Sequence, residues 1–112
     1  MHRLLVTEVY WHAGVYGCSI VTIDNDCVSV VPFEREVHST VFIPGTIAII
    51  EASKFDEFVA DDIELLLTDI GRVSDKKKLD NYLKSSSLYY NNGCGQPLVL
   101  KLGNPCQIIP IN

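Results

Sequence analysis

The chain lacks the cysteine spacing of a metal or redox site. Its four cysteines, Cys18, Cys27, Cys94 and Cys106, form no C-x-x-C pair, and no histidine stands at finger-like spacing from them. They read as reduced thiols acting as small apolar side chains, and neither a metal nor another cofactor is expected. Basic charge is scarce as well. Nine Lys and Arg stand against 14 Asp and Glu, for a net charge of −5. A chain of that sign repels phosphate backbones, so nucleic acid is not an expected partner. The one basic cluster, Arg72 with Lys76, Lys77 and Lys78, reads as a solvated helix face.

Long apolar runs are missing too. Thr7 and Glu8 interrupt the run that begins at Leu4, and no stretch approaches the ~18 residues that a membrane span needs. Met1-His2-Arg3 leads straight into Leu4-Leu5-Val6 without the pattern of a secretory leader. The expectation is a soluble, cytoplasmic protein with no membrane partner. Phosphate loops, dinucleotide-type glycine patterns, G-x-S-x-G and H-E-x-x-H are all absent. The commonest nucleotide, hydrolase and metalloprotease classes are thereby removed.

What is present is a globular composition. Apolar residues make up 47% of 112 residues and charged residues 21%. That supports one domain over residues 1–112 with an ordinary core. Residue usage changes near position 50. Residues 1–50 hold 15 of the 23 Val and Ile but only two leucines, Leu4 and Leu5. β-branched side chains suit pleated strands, so this half reads as sheet. Turn residues divide it into strands at 3–11, 15–23, 27–33, 37–43 and 46–51. The dividers are Ala13-Gly14, Asp24-Asn25-Asp26, Glu34-Arg35-Glu36 and Pro44-Gly45. Short links between strands predict an antiparallel meander, because parallel neighbours need long crossovers.

Residues 51–84 carry 15 of the 23 charges and read as helical. Ser53 is a suitable N-cap, and Phe55, Phe58, Val59, Ile63, Leu66, Leu67 and Ile70 follow helical spacing with a break near 60–62. The acids here, Asp61, Asp62 and Glu64 among them, read as a solvated face without calcium-loop spacing. A last helix starts at Ser74 and turns Leu79, Tyr82 and Leu83 inward. Residues 85–112 hold one charge, Lys101, and contribute two final strands. So few charges imply burial, within the domain or against another subunit. The expected fold is therefore α+β: an antiparallel meander of about five to seven strands, as a curved sheet or partly open barrel, packed by two or three short helices from residues 53–84.

Three constellations are candidates for chemistry. Tyr10, Trp11, His12 and Tyr16 flank the first hairpin. With Ala13-Gly14 as its turn, Trp11 and Tyr16 would face each other, either to stabilise the hairpin or to stack a ligand. His38 would pair across the Pro44-Gly45 turn with Glu51, which would raise its pKa. Cys94 lies between Gly93 and Gly95, after Asn91 and Asn92, where a loop thiol becomes nucleophilic if a base reaches it. The leading expectation is a non-catalytic interaction or assembly module that forms a homo-oligomer. Its alternatives are a small-molecule-binding domain using the aromatic hairpin, and a small enzyme using His38 or Cys94.

Overall fold

A computed structural model describes residues 2–12, 14–35, 40–55, 73–85, 87–92, 95–102 and 107–110. Among the described residues seven strands form a single sheet. They are β1 (His2–Trp11), β2 (Gly14–Tyr16), β3 (Ser19–Asp24), β4 (Cys27–Pro32), β5 (Thr40–Glu51), β6 (Pro97–Lys101) and β7 (Gln107–Ile109). A 3-10 turn at Ala52–Lys54 follows β5, and α1 spans Val73–Ser85. The spatial order is β4-β3-β1-β5-β6-β7, with β2 continuing β3 along the same edge of β1. None of the described helices is long and apolar enough to cross a membrane.

The sheet is mixed, which corrects the expected meander. β5 lies beside β1 in parallel, from Arg3 opposite Thr40 to Tyr10 opposite Ala48. The other pairings are antiparallel. Parallel neighbours do need a long connection, and here residues 12–39 supply it. That crossover contains three strands of its own, so strands adjacent in sequence are not always adjacent in space. The expected helical layer is corrected as well. The described residues hold one α-helix, α1, rather than two or three. The apolar pattern from Phe58 to Ile70 lies outside the described residues.

Pro44-Gly45 is a bulge inside one long strand, not the turn between two. Val6 faces Ile43 and Glu8 faces Thr46, so three steps on β5 match two on β1. Gly45 absorbs the kink with φ +104°.

Both faces of the central strands are covered, which explains the apolar run Ile47-Ala48-Ile49-Ile50, all fully buried. Ala48 and Ile50 join Tyr10, Leu100 and the α1 residues Leu79 and Leu83 on one face. Ile47 and Ile49 join Leu4, Val6, Val9, Trp11 and Val99 on the other. The second cluster also takes in Val28 of β4. A flat sheet would hold β4 and β6 roughly 19 Å apart, yet the Tyr90 hydroxyl lies within hydrogen-bonding distance of both the Asp26 carbonyl ahead of β4 and the Gly95 carbonyl ahead of β6, so the sheet curls around this core.

Leucine spacing sets the inner face of α1. Leu79 and Leu83 lie one turn apart and are fully buried, while Lys77, Lys78, Asn81 and Lys84 face out. The helix stops in a Schellman motif. The Ser87 N–H donates to the Lys84 carbonyl at 3.2 Å and the Leu88 N–H to the Leu83 carbonyl at 2.9 Å. Ser87 takes the left-handed conformation, φ +54°, that this motif requires. The chain then crosses the end of β1. Leu88–Tyr90 bonds the β5 edge that β1 has vacated: the Glu51 N–H donates to the Leu88 carbonyl, and the Tyr90 N–H to the Ile49 carbonyl.

Candidate functional site

The first hairpin turns one residue earlier than expected. Trp11 opposes Gly14, Tyr10 opposes Val15, and Val9 opposes Tyr16. His12 and Ala13 are therefore the connecting residues, and His12 has φ +48°, suited to the first position of a tight hairpin turn. Trp11 and Tyr16 do not face each other. Moving the turn by one residue slides the partners by two positions, so the change is in which residues oppose each other, while neighbours such as Tyr10 and Trp11 point to opposite faces by alternation.

The four hairpin residues separate accordingly. Tyr10 is fully buried against α1. Trp11 is buried in the opposite cluster, stacked on Tyr90 at 6.3 Å between ring centroids, with the His12 ring edge-on to it at 4.1 Å. His12 and Tyr16 are exposed. His38 and Cys94 lie outside the described residues. The hairpin expected to join His38 to Glu51 is replaced by a single strand, in which Glu51 faces Pro97 of β6.

Glu51 instead organises the end of β5. Its Oε2 accepts from the Ser53 N–H at 3.1 Å and from the Ser53 hydroxyl, and its Oε1 accepts from the Gln96 N–H at 3.3 Å. Hydrogen bonding to the charged form, chiefly by the Ser53 hydroxyl, holds the Glu51 carboxyl below its ordinary value. Glu51 therefore caps the turn at Ala52–Lys54, and the helix that Ser53 is expected to cap lies outside the described residues.

A polar island sits between α1 and the sheet. The Tyr89 hydroxyl donates to Asp80 Oδ1 at 2.5 Å. The Tyr10 hydroxyl is buried nearby and has no hydrogen-bond partner among the described residues. Burial raises the pKa of both phenols. The Glu8 and Asp80 charges add to the rise at Tyr10, and the bond to Asp80 adds to it at Tyr89. Both hydroxyls keep their protons at any ordinary pH, so neither acts as a base or nucleophile. Tyr10→Phe removes an unpaired buried hydroxyl at nearly constant shape and is expected to raise stability by about 1 kcal/mol. Urea unfolding checks this, and a lowered midpoint would reveal a partner for the hydroxyl.

No match to this chain is found among family models, curated proteins or solved structures.

Two surface features remain. A cleft of about 790 Å³ lies between the β3–β4 turn and the β6–β7 end of the sheet. Its polar groups are His2, Asn25, Asp26 and Gln96, over apolar Ile23 and Leu98, and none of the hairpin aromatics lines it. The second feature is the first half of β5. β6 begins its pairing only at Ile47, so from Val41 to Ile43 no described strand lies on the side away from β1. Val41 and Phe42 are each 58% exposed. Neighbours in a strand point to opposite faces, so Val41 and Phe42 present apolar surface on both, while Ile43 packs in part on the second cluster. Sequence reading took this stretch as a hairpin arm. Its distinguishing mark was present nonetheless: Thr40 to Ile50 carries no charge to blunt an open edge. Among the described residues no three His, Cys, Asp or Glu side chains converge as a metal site.

Proposed function

We propose that this protein is a non-catalytic interaction and assembly module, which associates with a second copy of itself through the first half of β5. The exposure of Val41 and Phe42, on a strand edge that no described strand pairs, carries this reading. Contiguous apolar surface on an open edge favours strand addition by another chain. A second copy suits it because two identical strands paired about a twofold axis bring only Thr, Val, Phe, Ile and Pro together. No like charges meet across that pairing. The reading places the protein in the cytoplasm, where Cys18 and Cys27, both exposed and free, stay reduced.

The charge-poor C-terminal segment supports this less than its composition suggests. Leu88, Tyr89, Tyr90, Val99, Leu100 and Leu102 are buried within the domain, and Ile108 stays exposed. Light scattering coupled to size exclusion is the test. A dimer that forms with rising concentration and is lost in Phe42→Lys, with the sheet circular dichroism retained, is the expected outcome. A strict monomer at high concentration would overturn the assignment, as would a dimer indifferent to Phe42→Lys and Val41→Lys.

A further inference from the structure

The two end strands of the sheet each leave little to bond. On β4, Asn92 fills the edge with its side chain. Its Oδ1 accepts from the Val28 N–H at 2.9 Å, and its Nδ2 donates to the Val28 carbonyl at 3.0 Å. A carboxamide carries the donor and acceptor of a peptide group, so it meets Val28 as a neighbouring strand would. Phe33, in step with Val31 and Ser29, donates its N–H inward to the Cys18 carbonyl on the β3 side. Alternation turns the backbone groups of Val28, Val30 and Pro32 outward. Pro32 has no N–H to offer. With Val28 occupied, Val30 alone presents a full peptide group on β4 to an incoming strand. The Tyr90 hydroxyl holds the segment that carries Asn92, donating to the Asp26 carbonyl at the β3–β4 turn.

β7 is closed to a similar degree. The Leu102 N–H donates to the Thr46 carbonyl, so alternation turns Lys101 and Val99 toward β7, where they face Gln107 and Ile109. Ile108 is left pointing outward, and Pro110, the next to do so, lacks an N–H. Strand addition draws its affinity from successive main-chain bonds, and one outward residue supplies too few.

We propose that Asn92 stands in for a strand on β4, closes that edge to a second copy of the chain, and so stops self-association at a pair. Stopping at a pair rests on association through β5, whereas closure of the β4 edge stands without it. Without the carboxamide, the Val28 N–H and C=O lose their partners beside a side chain that is buried, and unsatisfied backbone groups in such a place are costly. A second β4 restores them. Paired antiparallel about Ser29, Val28 of each copy opposes Val30 of the other, and the two exchange N–H and C=O. Cys27 to Pro32 carries no charge, so no like charges meet across the pairing. Copies then join at β4 as well as at β5, and pairing at two edges continues without closing.

The test compares variants of the full chain by light scattering and NMR hydrogen exchange, with protection of the β5–β6 amides reporting that the fold is kept. In the Phe42→Lys chain, which lacks the β5 contact, adding Asn92→Ala is expected to raise the mean mass about twofold at high concentration. With Phe42 in place, Asn92→Ala grows beyond a dimer. Val30→Pro, which removes the remaining outward N–H, returns each chain to the mass of its parent. Val31→Lys does the same by placing charge on the edge, and serves where the proline variant does not fold. At low concentration the Val28 amide exchanges about tenfold faster in Asn92→Ala than in the unaltered chain. Asn92→Asp keeps the acceptor, loses the donor and gives the same shifts where Asn92→Ala does not fold. Folded Asn92 variants that keep their parent's mass would overturn the proposal. So would association that Val30→Pro and Val31→Lys leave intact, or a Val28 amide that stays protected. If the unaltered chain is a monomer, the β5 reading fails and with it the stop at a pair, while the Phe42→Lys comparison still decides the β4 edge.

Discussion

Leu83→Ala lowers the stability of the fold by about 2–5 kcal/mol. Leu83 is fully buried among Tyr10, Ala48, Ile50 and Leu88, on the face where α1 meets the sheet. Truncation removes its apolar transfer energy and leaves a void that the rigid strands beneath fill only in part. The same side chain stands at the carbonyl that closes the Schellman motif with Leu88, so packing and helix termination weaken together. Domains of this size have a total stability of roughly 5–15 kcal/mol, so the loss is a large fraction of the whole. Chemical denaturation measures it. Lys78→Ala, on the exposed side of the same helix, is expected to stay within about 0.5 kcal/mol of the unaltered chain. Equal losses for the two variants would show that α1 is not held through its leucine face.

Gly95→Ala is the second large effect, at about 1–3 kcal/mol. Gly95 has φ +91°, a conformation that L side chains rarely adopt. A Cβ there would stand 2.3 Å from Glu51 Oε1. The carboxylate must move, and its contacts with the Gln96 and Ser53 N–H groups move with it. This has a pH signature. Glu51 has a lowered pKa when folded, so its contribution is present above the unfolded-state value and is lost as pH falls through the folded one. Stability profiles on the acid side should therefore fall less steeply for Gly95→Ala than for the unaltered chain. Parallel acid limbs would mean that Glu51 keeps its contacts despite the substitution.

Much of the local structure was legible in the residues. Enrichment in valine and isoleucine, cut by turn residues, marked the sheet-forming half, and Asp24-Asn25-Asp26 marked the turn between β3 and β4. Leu79 and Leu83, one helical turn apart, marked the buried face of α1. The neighbours of β5 were not legible. Pro44-Gly45 suits a turn and a bulge equally well, since both need a glycine at positive φ. Only the register against β1 distinguishes them. The aromatic hairpin failed in a similar way. Ala13-Gly14 and His12-Ala13 are both short enough to turn a chain, and a shift of one residue decides which side chains meet.

The order of residues by itself determined which segments pleat, which coil and which side chains seek burial, because these follow from rotamer freedom and periodicity over a few neighbours. Tertiary structure decided that β5 runs parallel to β1, that Glu51 meets Gln96, that Tyr10 is buried while Tyr16 is exposed, and that Asn92 reaches Val28. Each of these joins segments distant along the chain. Their pairing depends on which open edge and which apolar face remain once the local elements have formed.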